Sequence, residues 1–520
     1  MLDQLESLLG AEHVLSDEAN CTLYAQDVYT KDIPALAVAR PGSTEELASL
    51  VAAVTAAGHA IIPRGGGMSY TSGYVPRESG SVIVDMQRMN RVLEVNTEDM
   101  YVTVECGCTW MMLHDALKGT GFRTPYWGTL SGIHATVGGG LSQNSIFWGS
   151  GRHGTAADSV VSLDVVLADG TIVSTGANAQ ANSTPFFRHY GPDLTGLFTS
   201  DAGALGFKAT ATLKLIPACE HQRHMSFDFG EYTSLIIAMS AIARTGLADE
   251  SFAFDPRLQA VRMQRESLMS DVKKFAGVLK SAGSVLGAIK DGAKVAIAGR
   301  GFMKDVNFSL HVLVEDRTAE GAAAAARDVR SICAENGGNE IENSIPKILR
   351  ANPFTPLNNM VGPNGERWVP VHTIVPHSKA ESTMTAVQEL FDSHEALLEE
   401  HGIGYGFLLT TIAANGFAIE PVFFTPDALD EIHRQTVEAP ILRKMPCFEA
   451  NPAASEATAR IRAELIEIFR KAGGIHMQIG KAYPYRQGLK EDSFGLVEAI
   501  KRAVDPDCRV NPGSLGLEKK

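Results

Sequence analysis

Arg64-Gly65-Gly66-Gly67-Met68-Ser69 is the stretch on which the reading of the chain turns. What precedes it fixes its setting. Ser43-Thr44-Glu45-Glu46 has the pattern of a capped helix start, and Leu47, Leu50, Val51 and Val54 then recur at helical spacing. Gly58 supplies a stop, and residues 59–63 predict a short buried strand. The glycines therefore stand at the carboxyl end of a strand. Without Cβ atoms, consecutive backbone N–H groups can turn inward together, and such a nest binds a pyrophosphate. A triple glycine alone is more often a plain tight turn. It is not the G-x-G-x-x-G fingerprint, because no helix opens on it. The run GAIKDGAK at residues 287–294 fails as a P-loop, since no Gly-Lys-Ser/Thr closes it.

Two more clusters follow. Ala135-Thr136-Val137-Gly138-Gly139-Gly140-Leu141-Ser142-Gln143-Asn144 repeats the same logic, with Gly149, Gly151 and Gly154 close behind. Gly191-Pro192-Asp193-Leu194-Thr195-Gly196-Leu197-Phe198 and Gly203-Ala204-Leu205-Gly206-Phe207 form the third. Glycines entering a strand permit close backbone approach to a flat ring system. Two clusters in one domain can grip the two ends of a long cofactor.

The remaining chain is α/β in texture up to about residue 217. Strands are predicted at 81–86, 92–96, 101–105 and 210–216, and a helix at 111–118. Residues 162–167 and 171–174 flank Asp169-Gly170, a hairpin signal. Beyond residue 220 the predicted order is strand 308–315, helix 318–335, strand 368–375, helix 382–401 and strands 406–411 and 417–424. That alternation suggests a ferredoxin-like antiparallel sheet backed by helices. Residues 273–300 read as a helix with an exposed excursion.

A chain of 520 residues exceeds one core, so two or three domains are expected. Apolar residues at 45% and charged residues at 20% are those of a soluble globular protein. A net charge of −14 argues against nucleic acid or anionic membrane as partner. No apolar run reaches the ~18–20 residues of a membrane span, and the acidic N-terminus does not read as a signal peptide. Seven cysteines, spread from Cys21 to Cys508, suit reduced thiols and a cytoplasmic location. Cys106 and Cys108 read as packing residues, and the histidines form no paired ligand pattern, so no metal is expected.

The three clusters in this order resemble the flavin-binding domain of the vanillyl-alcohol oxidase/p-cresol methylhydroxylase (PCMH-type) superfamily. The resemblance covers most of residues 35–217 and is strongest over SGYVPRESGSVIVDMQRMNRVLEVN (72–96), which is similar to the phenol-oxidising branch. Val504-Asp505-Pro506-Asp507-Cys508-Arg509-Val510-Asn511-Pro512-Gly513 resembles the superfamily's closing motif. The resemblance implies an α+β fold: a two-subdomain FAD-binding domain made from both chain ends (residues 1–219 and 480–520) around an inserted ferredoxin-like antiparallel cap or substrate domain (220–479).

It also implies roles. Arg64, Gly65, Gly66, Gly67, Met68 and Ser69 would wrap the FAD pyrophosphate. Gly138, Gly139, Ser142 and Asn144, with Gly149 and Gly154, would line the flavin and its ribityl chain, and Gly206, Phe207 and Asn511 would complete the cofactor site. Tyr485-Arg486 looks like the pair that grips a phenolic oxygen, with Arg486 alternatively a flavin-stabilising cation. A phenol has a pKa of about 10, an arginine beside it favours the phenolate, and the phenolate eases hydride departure from its para carbon. Tyr70 and Tyr74 are candidates for a second phenol-binding tyrosine, and His476 lies shortly before the pair. The implied reaction is hydride transfer from a benzylic or alkyl carbon of a para-hydroxylated aromatic to flavin N5. Oxygen or a cytochrome would be the electron acceptor, and a homodimer is implied.

Several positions depart from the family pattern. Met68 stands where some members carry a flavin-linked histidine. Val371 occupies the cap-domain histidine column, with His372 one residue off as the fallback attachment point, so non-covalent FAD is expected. Thr155 fills the slot of an aspartate near flavin N5, with Asp158 out of register, and Ser514 replaces a lysine. A D-2-hydroxy-acid dehydrogenase of the same superfamily is the alternative enzyme, although its histidine-rich motif is missing. A non-catalytic protein with the same fold is the alternative of another kind.

Overall fold

The computed structural model describes residues 1–264 and 305–519. The predicted helix at 273–300 and the run at 287–294 lie outside them. The chain forms two compact units. One comprises residues 1–149, 153–218 and 476–520, and the other residues 150–152 and 219–475.

The first unit holds two main sheets. Strands Ala37–Ala39, Val82–Asp85 and Ile61–Arg64 run parallel, with Val14–Leu15 antiparallel at the edge. The second sheet is antiparallel, in the order Val92–Asn96, Tyr101–Glu105, Phe207–Lys214, Val160–Val166, Ile172–Ser174. Helix Thr44–Ala56 buries Leu47, Leu50, Val51 and Val54 completely. Its Ser43 cap accepts from Glu46 N at 3.2 Å, while the Glu46 carboxylate reaches past the cap to Gly42 N at 2.7 Å. Gly170 closes the predicted hairpin with φ +84°.

The C-terminal motif extends the parallel sheet. Ile61 N donates to Arg509 O and Asn511 N to Ile61 O, both at 2.9 Å. Asp505 shapes that turn by accepting from Arg509 N and Val510 N, and its carboxylate pairs with buried Lys501 at 2.5 Å. This charge pair is not left bare: Lys501 also donates to Ala204 O and Val510 O.

Among the described residues the second unit forms an eight-stranded antiparallel sheet. Its order is Asn339–Ile341, His221–Phe229, Phe308–Asp316, Glu250–Phe254, Gly404–Ile412, Gly416–Thr425 and Arg367–Pro370, and Thr373–Val375 also pairs with Gly416–Thr425. Phe391 of helix His377–Ser393 packs on Tyr405, Phe407 and Phe423 with ring centroids 4.2–5.3 Å apart.

Two predicted elements differ from the fold. The strand at 368–375 is interrupted at Val371 and His372, because Pro370 has no N–H to donate to the ladder. The helix at 382–401 begins earlier, at His377 behind Pro376, and breaks at His394, whose Nε2 pairs with Glu464 at 2.9 Å. No described helix is long and apolar enough to cross a membrane.

Candidate functional site

Strand Ile61–Arg64 delivers the chain into the first glycine cluster, which packs directly on the second. A Cβ on Gly65 would lie 2.3 Å from Thr136 Oγ1, and one on Gly66 1.9 Å from the carbonyl oxygen of His134. Gly67 has φ +72°, and its missing Cβ makes room for the Arg64 guanidinium. Buried Arg64 lies over the rings of Tyr24 and Tyr74 at 4.4 and 5.2 Å. Tyr74 donates its hydroxyl to Gly67 O at 2.8 Å, so this tyrosine props the loop.

The loop carbonyls are thus held from outside. Gly65 O accepts from Gln87 Nε2 and Ser69 O from Val28 N. The N–H groups of Gly66, Gly67, Met68 and Ser69, by contrast, have no acceptor among the described residues. Buried backbone donors are nearly always paired. A run of unpaired ones at a strand end is a ready anion cradle, and these residues fit the pyrophosphate of FAD.

The second cluster is less open than its composition suggests. Thr136 caps helix Val137–Gln143, its side chain accepting from Gly139 N at 3.2 Å. A Cβ on Gly138 would meet Cys106 at 2.7 Å, and one on Gly140 would meet Trp110 at 2.8 Å. These two glycines therefore serve packing, and Gly139 alone of the three has only Thr136 near. Ser142 donates to Gly138 O, and Asn144 turns left-handed (φ 51°) while its Oδ1 accepts from Ala157 N. Side chains at Gly149, Gly154 and Gly206 would strike Pro125 O at 2.2 Å, Asp158 Oδ2 at 2.4 Å and Val165 at 2.6 Å. Phe207 is fully buried at the start of its strand. Thr155 and Asp158 form a helix cap, with Asp158 Oδ2 accepting from Thr155 N at 2.7 Å.

Asn511 pins the closing motif beside the first cluster. Its Nδ2 donates to Gly73 O at 2.9 Å and Ala202 O at 2.8 Å, and its buried Oδ1 finds no donor among the described residues.

The loop after Ser69 meets residues 476–483. Tyr70 accepts from Gln478 Nε2 through its hydroxyl at 2.9 Å. Lys481 N donates to Thr71 O at 2.9 Å, and Lys481 Nζ to Val75 O at 2.6 Å. A Cβ on Gly480 (φ +55°) would lie 2.3 Å from Thr71 O. The His476 ring stacks on Tyr483 at 3.8 Å and 10°. Burial, aided by nearby Arg77 and opposed by Asp27, pushes the Lys481 amine down to about 7. Sequence reasoning named Tyr70 and His476 here and missed Gln478 and Lys481. Their sequence signal is only their position between His476 and Tyr485.

Tyr485 and Arg486 sit elsewhere in the same unit. Tyr485 packs with Ile479 and Leu489 on Ala202, Ala204, Leu515 and Leu517, and burial pushes its hydroxyl up. Arg486 is exposed and lies over Phe494 at 5.1 Å. Ser514 is fully buried. His372 is fully buried in the second unit, and the described residues contain no cluster of three His, Cys, Asp or Glu able to hold a metal.

The fold and cradle define a protein with an FAD-binding domain: residues 35–176 match the family model described as the FAD binding domain. An FAD-linked oxidoreductase of Mycobacterium tuberculosis, itself uncharacterised, is 30% identical over 254 residues, 48% of this chain and 53% of that protein. The aligned chain thus spans about half the length of that relative. Glycolate oxidase subunit GlcD of Bacillus subtilis is 23% identical over 99% of this chain and 96% of its own. The solved structure of p-cresol methylhydroxylase with substrate bound superposes with a TM-score of 0.73 at 17% identity, covering 99% of this chain and 96% of that one.

Proposed function

We propose that the chain is an FAD-dependent oxidoreductase that removes a hydride from a substrate carbon, the benzylic alcohol or alkyl carbon of a para-hydroxylated aromatic. One observation carries the reading. The loop whose free N–H groups fit a pyrophosphate runs on, without a break, into Tyr70, which is held by Gln478 beside Lys481.

The isoalloxazine ring of bound FAD supplies the hydride acceptor, at N5. Gly66 to Ser69 hold the pyrophosphate, and Arg64 and Tyr74 keep that loop in shape. The Tyr70 hydroxyl and the His476 ring orient the substrate. When the substrate is an alcohol, its hydroxyl proton must leave as the hydride leaves. An amine poised near neutral pH suits that transfer, and Lys481 takes the proton. Non-covalent FAD follows from Met68, which cannot form the flavin–histidine bond. The electron acceptor would be oxygen or a cytochrome, and the working form a homodimer.

A D-2-hydroxy acid is the second reading, supported by similarity to the glycolate oxidase subunit over nearly the whole chain. Anaerobic titration of the purified holoprotein separates the two. Bleaching of the flavin band by 4-hydroxybenzyl alcohols supports the first, and bleaching by D-2-hydroxy acids alone replaces it with the second. After acid precipitation the yellow colour is expected in the supernatant. A yellow pellet would show a covalent flavin and point to His372.

A further inference from the structure

The sheet of the second unit has two unlike faces. Met225, Phe227, Leu310, Val312 and Phe407 are buried on one, as a sheet covered by helices requires. On the other, Ser226 stands opposite His311, His311 opposite Phe252, and Phe252 opposite Thr410, so these side chains share a face. One pair along, Ser309 stands opposite Phe254. Helix Pro256–Gln264 follows Phe254 and folds back over this end of the sheet, with Leu258 against Gly406. Its Arg262 lies over the Phe254 ring at 4.8 Å.

His311 and Ser309 are fully buried. His311 Nδ1 is 2.9 Å from Ser226 Oγ, and its ring lies 5.2 Å from Phe252 and 5.6 Å from Phe254. Its Nε2 has no partner among the described residues, and the same holds for Ser309 Oγ and Arg262 Nε. Burial pushes His311 down to about 3, so the imidazole is neutral at working pH and carries one N–H. Glu420 acts on Arg262 from the same face. A buried polar atom left unpaired has given up its hydration without regaining a hydrogen bond. Three gathered around two phenyl rings are not explained by packing, and native proteins hold such groups where a ligand or water completes them.

We propose that Arg262, His311 and Ser309, flanked by Phe252 and Phe254, form a binding site for the carboxylate of a small aromatic acid. The guanidinium supplies the charge, the imidazole N–H and the serine hydroxyl supply further donors, and the phenyl rings take the flat apolar part. The inference rests on the proposed oxidoreductase reading in one respect: an aryl 2-hydroxy acid carries both this carboxylate and the oxidisable hydroxyl carbon.

Benzoate is the probe, titrated into the holoprotein by calorimetry alongside uncharged benzyl alcohol. Saturable binding of benzoate is expected, and Arg262→Gln should weaken it at least tenfold while leaving the benzyl alcohol isotherm and the melting temperature unchanged. Ser309→Ala should weaken it less. Failure of benzoate to bind, or equal binding in wild type and Arg262→Gln, overturns the proposal. Flavin bleaching is read separately. Bleaching by 4-hydroxybenzyl alcohol without benzoate binding removes the acid site alone, and benzoate binding without bleaching by any substrate removes the oxidoreductase reading alone.

Discussion

Replacing Gly66 by alanine should abolish tight FAD binding without unfolding the protein. Gly66 does not have a positive φ, so alanine is conformationally allowed there and the effect is steric. The added Cβ would stand 1.9 Å from the His134 carbonyl oxygen and 2.5 Å from its carbon, both backbone atoms that no rotamer change can move. Ordinary contact is about 3.5 Å, so the two loops must part by roughly 1.6 Å (3.5 − 1.9). A hydrogen bond of about 2.9 Å stretched by that much is lost. Each bond from these N–H groups to a charged phosphate is worth about 1.5–3 kcal/mol. Losing two therefore weakens Kd by roughly 10²- to 10⁴-fold. The assay is FAD titration of apoprotein by flavin fluorescence, with circular dichroism and a thermal melt to verify folding. Gly495→Ala is the control. Gly495 lies inside helix Glu491–Val504 with nothing near its Cβ direction, so the change should leave Kd unaltered and stabilise slightly. A Gly66→Ala protein that binds FAD within threefold of wild type would refute the cradle.

Two further outcomes follow from the same unit. Lys481 sits at about 7 in the fold against 10.5 ordinarily, so between those values the unfolded chain binds more protons and stability rises with pH. From pH 7 to pH 9 the wild type should gain about 2 kcal/mol that Lys481→Met does not, read by urea denaturation at each pH, and parallel curves would refute the burial of a titrating amine. Asn511→Ala leaves the Gly73 and Ala202 carbonyls without their donor, costing about 1–3 kcal/mol for each that stays dry. An unchanged urea midpoint would show that water replaces the amide.

The first unit was legible because its chemistry is written in residue types that have few other uses. Glycine at 65 to 67 and at 138 to 140 is demanded by contacts of 1.9–2.8 Å that any side chain would close, apart from the more open Gly139. The sequence could not say which glycines face a ligand and which face Cys106 or Trp110, because that depends on atoms distant in the chain. The middle of the chain was harder. Strands His221–Phe229 and Glu250–Phe254 were not predicted at all. They set histidine, serine and glutamate on a face that is nevertheless buried, so their alternation reads as polar and solvated. The polarity that hid these strands is the property that makes their inner face a candidate ligand surface. Lys481 is the same lesson at a single residue. Lysine is the commonest of surface side chains, and nothing adjacent in sequence distinguishes it. Its depressed pKa arises only when residues 476–483 fold onto residues 70–77 and leave the amine one carbonyl partner, Val75. A reactive group whose character comes from desolvation has no sequence signature of its own. Such a group is found by asking which buried polar atoms the fold leaves underpaired.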